Sequence, residues 1–166
     1  MSRDITRIYD WLCANRLSLN ATKTEAMLFQ PKSKHKVTNM TLKFKAAKIA
    51  LSNKVKYLGV TLDSQLTWRD HLAELSKKLS RANGLLSKIR HYVDTCTLIS
   101  IYYSLFHSQM TYGCLAWGTA RKNQLNKVIK LQHQAVRIMT FSDLSEPSSS
   151  LFSKLCILKL DEIINM

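Results

Sequence analysis

Lys56-Tyr57-Leu58-Gly59-Val60-Thr61-Leu62-Asp63-Ser64-Gln65-Leu66-Thr67-Trp68-Arg69-Asp70-His71-Leu72 is where the chain changes its structural period. On its N-terminal side, Val55 to Leu62 is rich in β-branched and aromatic residues and reads as the strongest strand of the chain. On its C-terminal side, Leu72, Leu75, Leu79, Ala82, Leu86, Ile89 and Val93 recur at alternating steps of three and four, an apolar seam made for packing on other helices. Thr67 is the expected N-cap, with Asp70 three residues on, where a carboxylate also suits the helix dipole. The expected fold class is therefore α+β: a small piece of helix and antiparallel strands, then an all-α helical bundle.

Working outward, Asp4 to Arg16 reads as an amphipathic helix with Ile5, Ile8, Tyr9, Leu12 and Cys13 on one face. Thr24 to Phe29 reads as a short strand ended by Pro31, and Thr41 to Phe44 and Lys48 to Leu51 as small strands. Between Gln30 and Leu62 no acidic residue occurs, against eight lysines: Lys32, Lys34, Lys36, Lys43, Lys45, Lys48, Lys54 and Lys56. Helices are expected from about Thr97 to Tyr112, broken by Gly113 and Gly118, and from Asn123 to Thr140, burying Leu125, Val128, Ile129, Val136 and Met139. Asp143 to Ser150, with Pro147 and its serines, reads as a loop, and Leu151 to Ile164 as a final helix. The expected divisions are 1–63, 64–142 and 143–166, without internal repeats.

At 166 residues the chain is one domain, or one with an appendage, long enough to bury a core. Its net charge of +14 points to a polyanionic partner, most simply nucleic acid, although chromatin and membrane-surface proteins share such a balance. Cys13, Cys96, Cys114 and Cys156 form no C-x-x-C pair and no metal-ligand spacing, so reduced thiols and no metal are expected. No charged-then-apolar leader is recognisable, and an intracellular protein, in cytoplasm or nucleus, is expected. From Thr95 to Ala120 there is no charged Asp, Glu, Lys or Arg, long enough to span a bilayer. Ser100, Ser104, His107, Ser108 and Thr111 nevertheless mark a polar stripe, with Leu98, Ile101, Tyr102, Leu105 and Tyr112 opposite. That pattern suits a soluble bundle, so no membrane is expected.

The helices carry the electrostatic reading. Lys77, Arg81, Gly84 and Lys88 share one stripe away from the leucine seam. Lys127, Lys130, Gln134 and Arg137 share another, on a helix without an acidic residue. Either stripe alone is an ordinary solvated face. Two of them, short of balancing glutamate, suit a grip on duplex phosphates without base reading.

Specific motifs narrow this further. Trp11, Asn15, Leu17, Leu19, Asn20, Lys23 and Thr24 give W-x-x-x-N-x-L-x-L-N-x-x-K-T; a basic spacer leads to K-Y-L-G-V-x-L-D at Lys56 to Asp63 and L-T-W-x-x-H at Leu66 to His71. Y-G-x-x-x-W at Tyr112 to Trp117 and L-Q-x-x-A-x-R at Leu131 to Arg137 follow. In this order the chain closely resembles the end of the palm and the thumb of reverse transcriptases from non-LTR retrotransposons of the jockey/LINE-like kind. The resemblance implies that Lys23, presented by a turn of Asn20 and Thr24, contacts the triphosphate and acts as a general acid to the pyrophosphate leaving group, in an intact polymerase. A solvated turn lysine fits the residues equally well. It further implies that Tyr57 and Gly59 belong to the primer-grip hairpin, Gly59 admitting a close backbone approach, and that Lys77, Arg81, Lys88, Lys127, Lys130 and Arg137 lie on the duplex-clamping thumb. A plain core strand would also account for Tyr57, Leu58 and Val60. His71 reads as a structural contact near a helix start, and Trp117 as the anchor of a helix junction.

Two-metal polymerisation needs paired carboxylates. The resemblance puts them in an aromatic-Ala-Asp-Asp hairpin ahead of the matching region, and this chain has no adjacent aspartate pair. The expectation is thus a partial RNA-directed DNA polymerase that binds an RNA–DNA or DNA primer–template duplex, inactive alone and lacking the fingers and most of the palm. It would carry no cofactor itself, with Mg2+ serving the intact parent. A domesticated nucleic-acid-binding module and a helical adaptor for an acidic protein are the competing expectations.

Overall fold

The computed structural model describes residues 2–18, 20, 23–30, 42–44, 47–49, 51–143 and 146–166. Pro31, Thr41 and the lysines at 32, 34, 36 and 45 lie outside the described residues. The mixture of helices and antiparallel hairpins is α+β, and the chain divides into two compact units, Met1–Leu66 and Thr67–Met166.

The first unit opens with α1 (Ser2–Ala14). Its end reverses through Arg16 at φ 55°, with the Leu17 N–H donating to the Leu12 carbonyl at 2.9 Å and the Arg16 N–H to Cys13 at 3.0 Å. This is a Schellman closure in which an arginine occupies the left-handed position that glycine usually fills. Ile8 and Trp11, two of its large apolar residues, stay exposed. Thr24 to Phe29 is not a strand: only an isolated parallel bridge joins Ala26 to Leu51, supported by the Ser52 N–H donating to the Ala26 carbonyl at 2.8 Å. β1 (Leu42–Phe44) and β2 (Ala47–Ile49) pair antiparallel, with Lys43 opposite Lys48.

The strand read from composition over Val55 to Leu62 is a hairpin, the form that the resemblance implied at Tyr57 to Val60. β3 (Lys54–Tyr57) and β4 (Val60–Asp63) pair antiparallel, and Tyr57 opposite Val60 closes a two-residue turn. Leu58 at φ 46° and Gly59 at φ 82° both take positive φ, the signature of a type I′ turn whose twist matches that of the strands. Gly59 meets this at no steric cost; Leu58 does not, and single non-glycine residues in that region cost about 1 kcal/mol or more.

The second unit is all helix. α2 (Arg69–Ile89) begins one residue later than the Thr67 cap implied: Trp68, at φ 60°, holds the N-cap position without a side-chain cap bond, and Asp70 lies in the first turn. Trp68 is itself buried at this helix start. Leu72, Leu75, Leu79, Ala82 and Leu86 of the seam are buried; Ile89 and Val93, at and beyond the helix end, are only half-buried. α3 (Thr95–Ile101) is capped by Asp94, whose carboxylate accepts from the Cys96 and Thr97 N–H groups at 3.1 and 3.4 Å. It continues through a π-helical segment, Tyr102–His107, into α4 (Ser108–Thr111). Ser100 and Ser104 donate back to the carbonyls of Cys96 and Ile101 at 3.1 and 3.0 Å, local bonds that compete with the backbone ladder where it widens. The wider turn keeps Leu98, Tyr102, Phe106 and Met110 all inward, whereas Leu105 and Tyr112, expected on the buried face, are exposed.

α5 (Cys114–Trp117) follows, and then α6 (Lys122–Thr140), which packs along α2. Leu125, Val128, Val136 and Met139 are buried as expected; Ile129 is half-buried, and Gln132 and Ala135 are fully buried. The ends of α2 and α6 are tied by Arg90, which donates to the Ile138 carbonyl at 3.5 Å and lies 4.6 Å over the Phe141 ring. The expected terminal helix splits into α7 (Ser148–Leu155), starting inside the expected loop, and α8 (Leu160–Asn165). Cys156 at φ 53° makes the break. Among the described residues, no helix is long and apolar enough to cross a membrane.

Candidate nucleic-acid interface

The α2/α6 pair forms an electropositive groove among the described residues. On α2, Ser76, Lys77, Ser80 and Arg81 fall on one side of the helix; on α6, Lys127, Lys130 and Leu131 face the same open groove. All four cations are exposed, and among the described residues no carboxylate is part of the lining. α6 has no acidic side chain anywhere along its length. The two stripes expected from the sequence thus meet at one surface, where like charges in solvent attract a polyanion more strongly than either stripe alone.

Not every stripe residue joins it. Lys88 is exposed further along α2, outside the groove lining. Arg137 is half-buried and donates through Nη2 to the Glu146 carbonyl at 3.3 Å, so its fork is turned to the chain itself. Gln134 engages α2: the buried Asn83 donates through Nδ2 to its Oε1 at 3.4 Å and to the Leu131 carbonyl at 3.0 Å. Asn83 therefore pins the groove wall of α6 to α2, and the sequence singled it out for nothing. Its signal was faint: a polar residue one position after Ala82 in the seam.

The motif landmarks Trp117, His71 and Gln132 are buried in the second unit. Trp117 is fully buried, and its indole N–H donates to the Tyr112 carbonyl at 2.9 Å. His71, near the start of α2, is buried against it with ring centroids 6.2 Å apart, and burial pushes its imidazole below the ordinary histidine range against the opposing pull of Glu74. Gln132 is the centre of a three-way tie. Its Nε2 donates to the Tyr102 hydroxyl at 3.2 Å and the Leu158 carbonyl at 2.9 Å, and its Oε1 accepts from the Leu160 N–H at 2.9 Å. Burial of Tyr102 in turn pushes its hydroxyl up to about 12.

The remaining site residues belong to the first unit. Lys23 is exposed on a turn in which its N–H donates to the Asn20 carbonyl at 3.1 Å and Oδ1 at 3.3 Å, while the Thr24 hydroxyl donates to the Asn20 carbonyl at 2.8 Å. Tyr57 and Gly59 form the tip of the β3–β4 hairpin, where Tyr57 is 63% and Leu58 71% exposed; neither packs as a core-strand residue would. Among the described residues, no group of three His, Cys, Asp or Glu side chains is placed to hold a metal ion.

By sequence the chain is similar to RNA-directed DNA polymerases of mobile elements. It is similar to the probable RNA-directed DNA polymerase from transposon X-element of Drosophila melanogaster, 25% identical over 138 residues that make up 81% of this chain and 15% of that protein. It is similar to the corresponding protein of transposon BS from the same organism, 27% identical over 139 residues, 82% of this chain and 15% of that one. With the RNA-directed DNA polymerase of the mobile element jockey it shares 33% identity over 86 residues, 49% of this chain and 9% of the other. The chain therefore spans about 15% or less of the length of the curated relatives it matches. No family model matches the chain, and no solved structure matches it significantly.

Proposed function

We propose that this chain is the end of the palm and the thumb of a reverse transcriptase, and that it grips a primer–template duplex by its phosphates without making DNA alone. The observation that carries this reading is the convergence of Lys77, Arg81, Lys127 and Lys130 on one groove with no carboxylate among its described lining residues. Cations arranged without a counter-charge meet phosphate as point charges and forks, giving affinity that is indifferent to sequence. The tip at Tyr57 and Gly59 serves as the support for the primer strand, and Lys23 as the triphosphate contact once the rest of a polymerase surrounds it. Paired carboxylates holding Mg2+ belong to that remainder.

The test is a titration of the purified chain against a labelled RNA–DNA primer–template at rising salt, with primer extension in parallel. Four phosphate contacts predict a slope of log affinity on log salt of about −3.6, and Lys127→Gln should reduce its magnitude by about 0.9. Binding without extension is expected. A flat salt response would refute the phosphate grip, and extension by the chain alone would refute the assignment of catalysis to the missing part.

A further inference from the structure

We propose that Ser76 makes the α2/α6 groove selective for a ribose strand over a deoxyribose strand. The inference rests on the phosphate-gripping reading of the groove and adds to it the kind of strand that is held.

The argument is one of donors and acceptors. The Ser76 Oγ lies 2.7 Å from the Leu72 carbonyl oxygen one turn back. A carbonyl only accepts, so the hydroxyl proton is committed to it, and Ser76 turns lone pairs toward whatever lies beside it. The residue is half-buried and lines the groove next to Lys77. A nucleic-acid backbone offers phosphate and ring oxygens, which are acceptors and are met by the flanking lysines and arginine. Its one donor is the ribose 2′-hydroxyl, which DNA lacks. An RNA strand therefore offers the Ser76 oxygen a donor, while a DNA strand places acceptor against acceptor or leaves a water between them. Donation to Leu72 also polarises the Ser76 oxygen and makes it a better acceptor.

Ser80, one turn further along the same wall, supplies the internal control. It is exposed, and a hydroxyl that can turn to donate serves a phosphate on either kind of strand. It has no reason to discriminate.

The measurement is equilibrium binding of the full chain to duplexes of one sequence: RNA–RNA, RNA–DNA, DNA–DNA, and RNA–RNA carrying 2′-fluoro groups. The last keeps the A-form shape and removes the donor. The unaltered chain should bind RNA–RNA roughly threefold to tenfold more tightly than the 2′-fluoro duplex, the factor one neutral hydrogen bond contributes. Ser76→Ala should abolish that difference and keep the salt slope, and it should fold, since alanine is the better helix former. Ser80→Ala should lower affinity for all four duplexes alike. Equal binding of the RNA and 2′-fluoro duplexes, or a preference that survives in Ser76→Ala, overturns the proposal. If instead every duplex binds without salt dependence, the phosphate grip itself fails, and the ribose reading falls with it.

Discussion

Replacing Gln132 by leucine, nearly its equal in volume, tests whether the junction under α6 is held by its polar ties. Three partners lose their bond: the Tyr102 hydroxyl, the Leu158 carbonyl and the Leu160 N–H. Two of these bonds are wholly enclosed, and a buried polar group left unpaired costs about 1–3 kcal/mol. The Tyr102 hydroxyl can still rotate toward another acceptor, whereas the Leu160 N–H is fixed by the start of α8 and cannot. Exchanging an enclosed amide for an apolar side chain returns about 1–2 kcal/mol. The net expectation is a loss of roughly 2–3 kcal/mol, which for a unit of about 100 residues lowers the melting temperature by roughly 10–20 °C. Tyr102→Phe alone removes one bond while Gln132 keeps its others, and should cost about 1 kcal/mol. The double variant should be milder than the sum by about 0.5–1.5 kcal/mol, since the orphaned hydroxyl is then gone. Urea unfolding followed by far-ultraviolet circular dichroism measures all three. A Gln132→Leu loss below about 0.5 kcal/mol, or strict additivity in the cycle, would refute the reasoning.

Two glycines should respond with opposite signs. A Cβ at Gly118 would stand 2.5 Å from the Cys114 carbonyl and 3.1 Å from the Ile164 side chain, so Gly118→Ala must move backbone and should cost about 1–3 kcal/mol. A Cβ at Gly84, inside α2, meets nothing within 4 Å, and Gly84→Ala should stabilise by about 0.5–1 kcal/mol; the same unfolding assay reads both. Acidification should destabilise the second unit. Burial lowers the His71, His107 and His133 imidazoles from the ordinary 6.5. The unfolded chain then takes up protons first, so the stability is complete above that value and is lost as pH falls through and below it. Thermal melts between about pH 8 and pH 5 check this, and unchanged or rising stability on acidification would contradict it. Asp94, lowered first by its bond from the Thr97 hydroxyl, acts in the same direction but below the carboxylate range.

What was legible in the sequence was whatever repeats. The α2 seam and the α6 periodicity were readable because a helix face persists for five turns, and the two basic stripes were readable for the same reason. Single residues in unusual backbone states were not. Turns are conventionally announced by glycine, asparagine or proline, yet this chain has four glycines and reverses helices at Arg16, Phe141 and Cys156, all at positive φ. The break at Cys156 therefore carries no mark in a helical periodicity that runs through it. The cap at Trp68 was missed because a threonine beside it offered the stronger local signal. The π-helical segment shows no sequence mark of its own beyond Ser104. Of the six basic candidates on the two helices, only the packing of α2 on α6 separates the four that share a groove from Lys88 and Arg137.

The same packing explains why motifs that look like recognition sequences are built into the core. In L-Q-x-x-A-x-R, Leu131 lines the groove while its carbonyl accepts from Asn83 on α2. Gln132, the next residue, secures α6 to the π-helical segment and to the chain entering α8. Ala135, fully buried, keeps the helix face small where it is enclosed, and Arg137 closes on Glu146. Only the first of these touches the groove. The others set where α6 stands, and hence how far Lys127 and Lys130 are from Lys77 and Arg81. An electrostatic grip on a duplex depends on that spacing more than on the identity of any one cation, because each phosphate contact is replaceable while the separation between them is not. It follows that Gln132→Leu, which changes no charge, should weaken duplex binding at temperatures where the unit remains folded, and should do so without altering the salt slope. Loss of one cation should do the reverse, flattening the slope while leaving stability intact. That separation of the two effects in the same titration would show whether the motif acts through position; a Gln132→Leu chain that stays folded and binds at full strength would show that it does not.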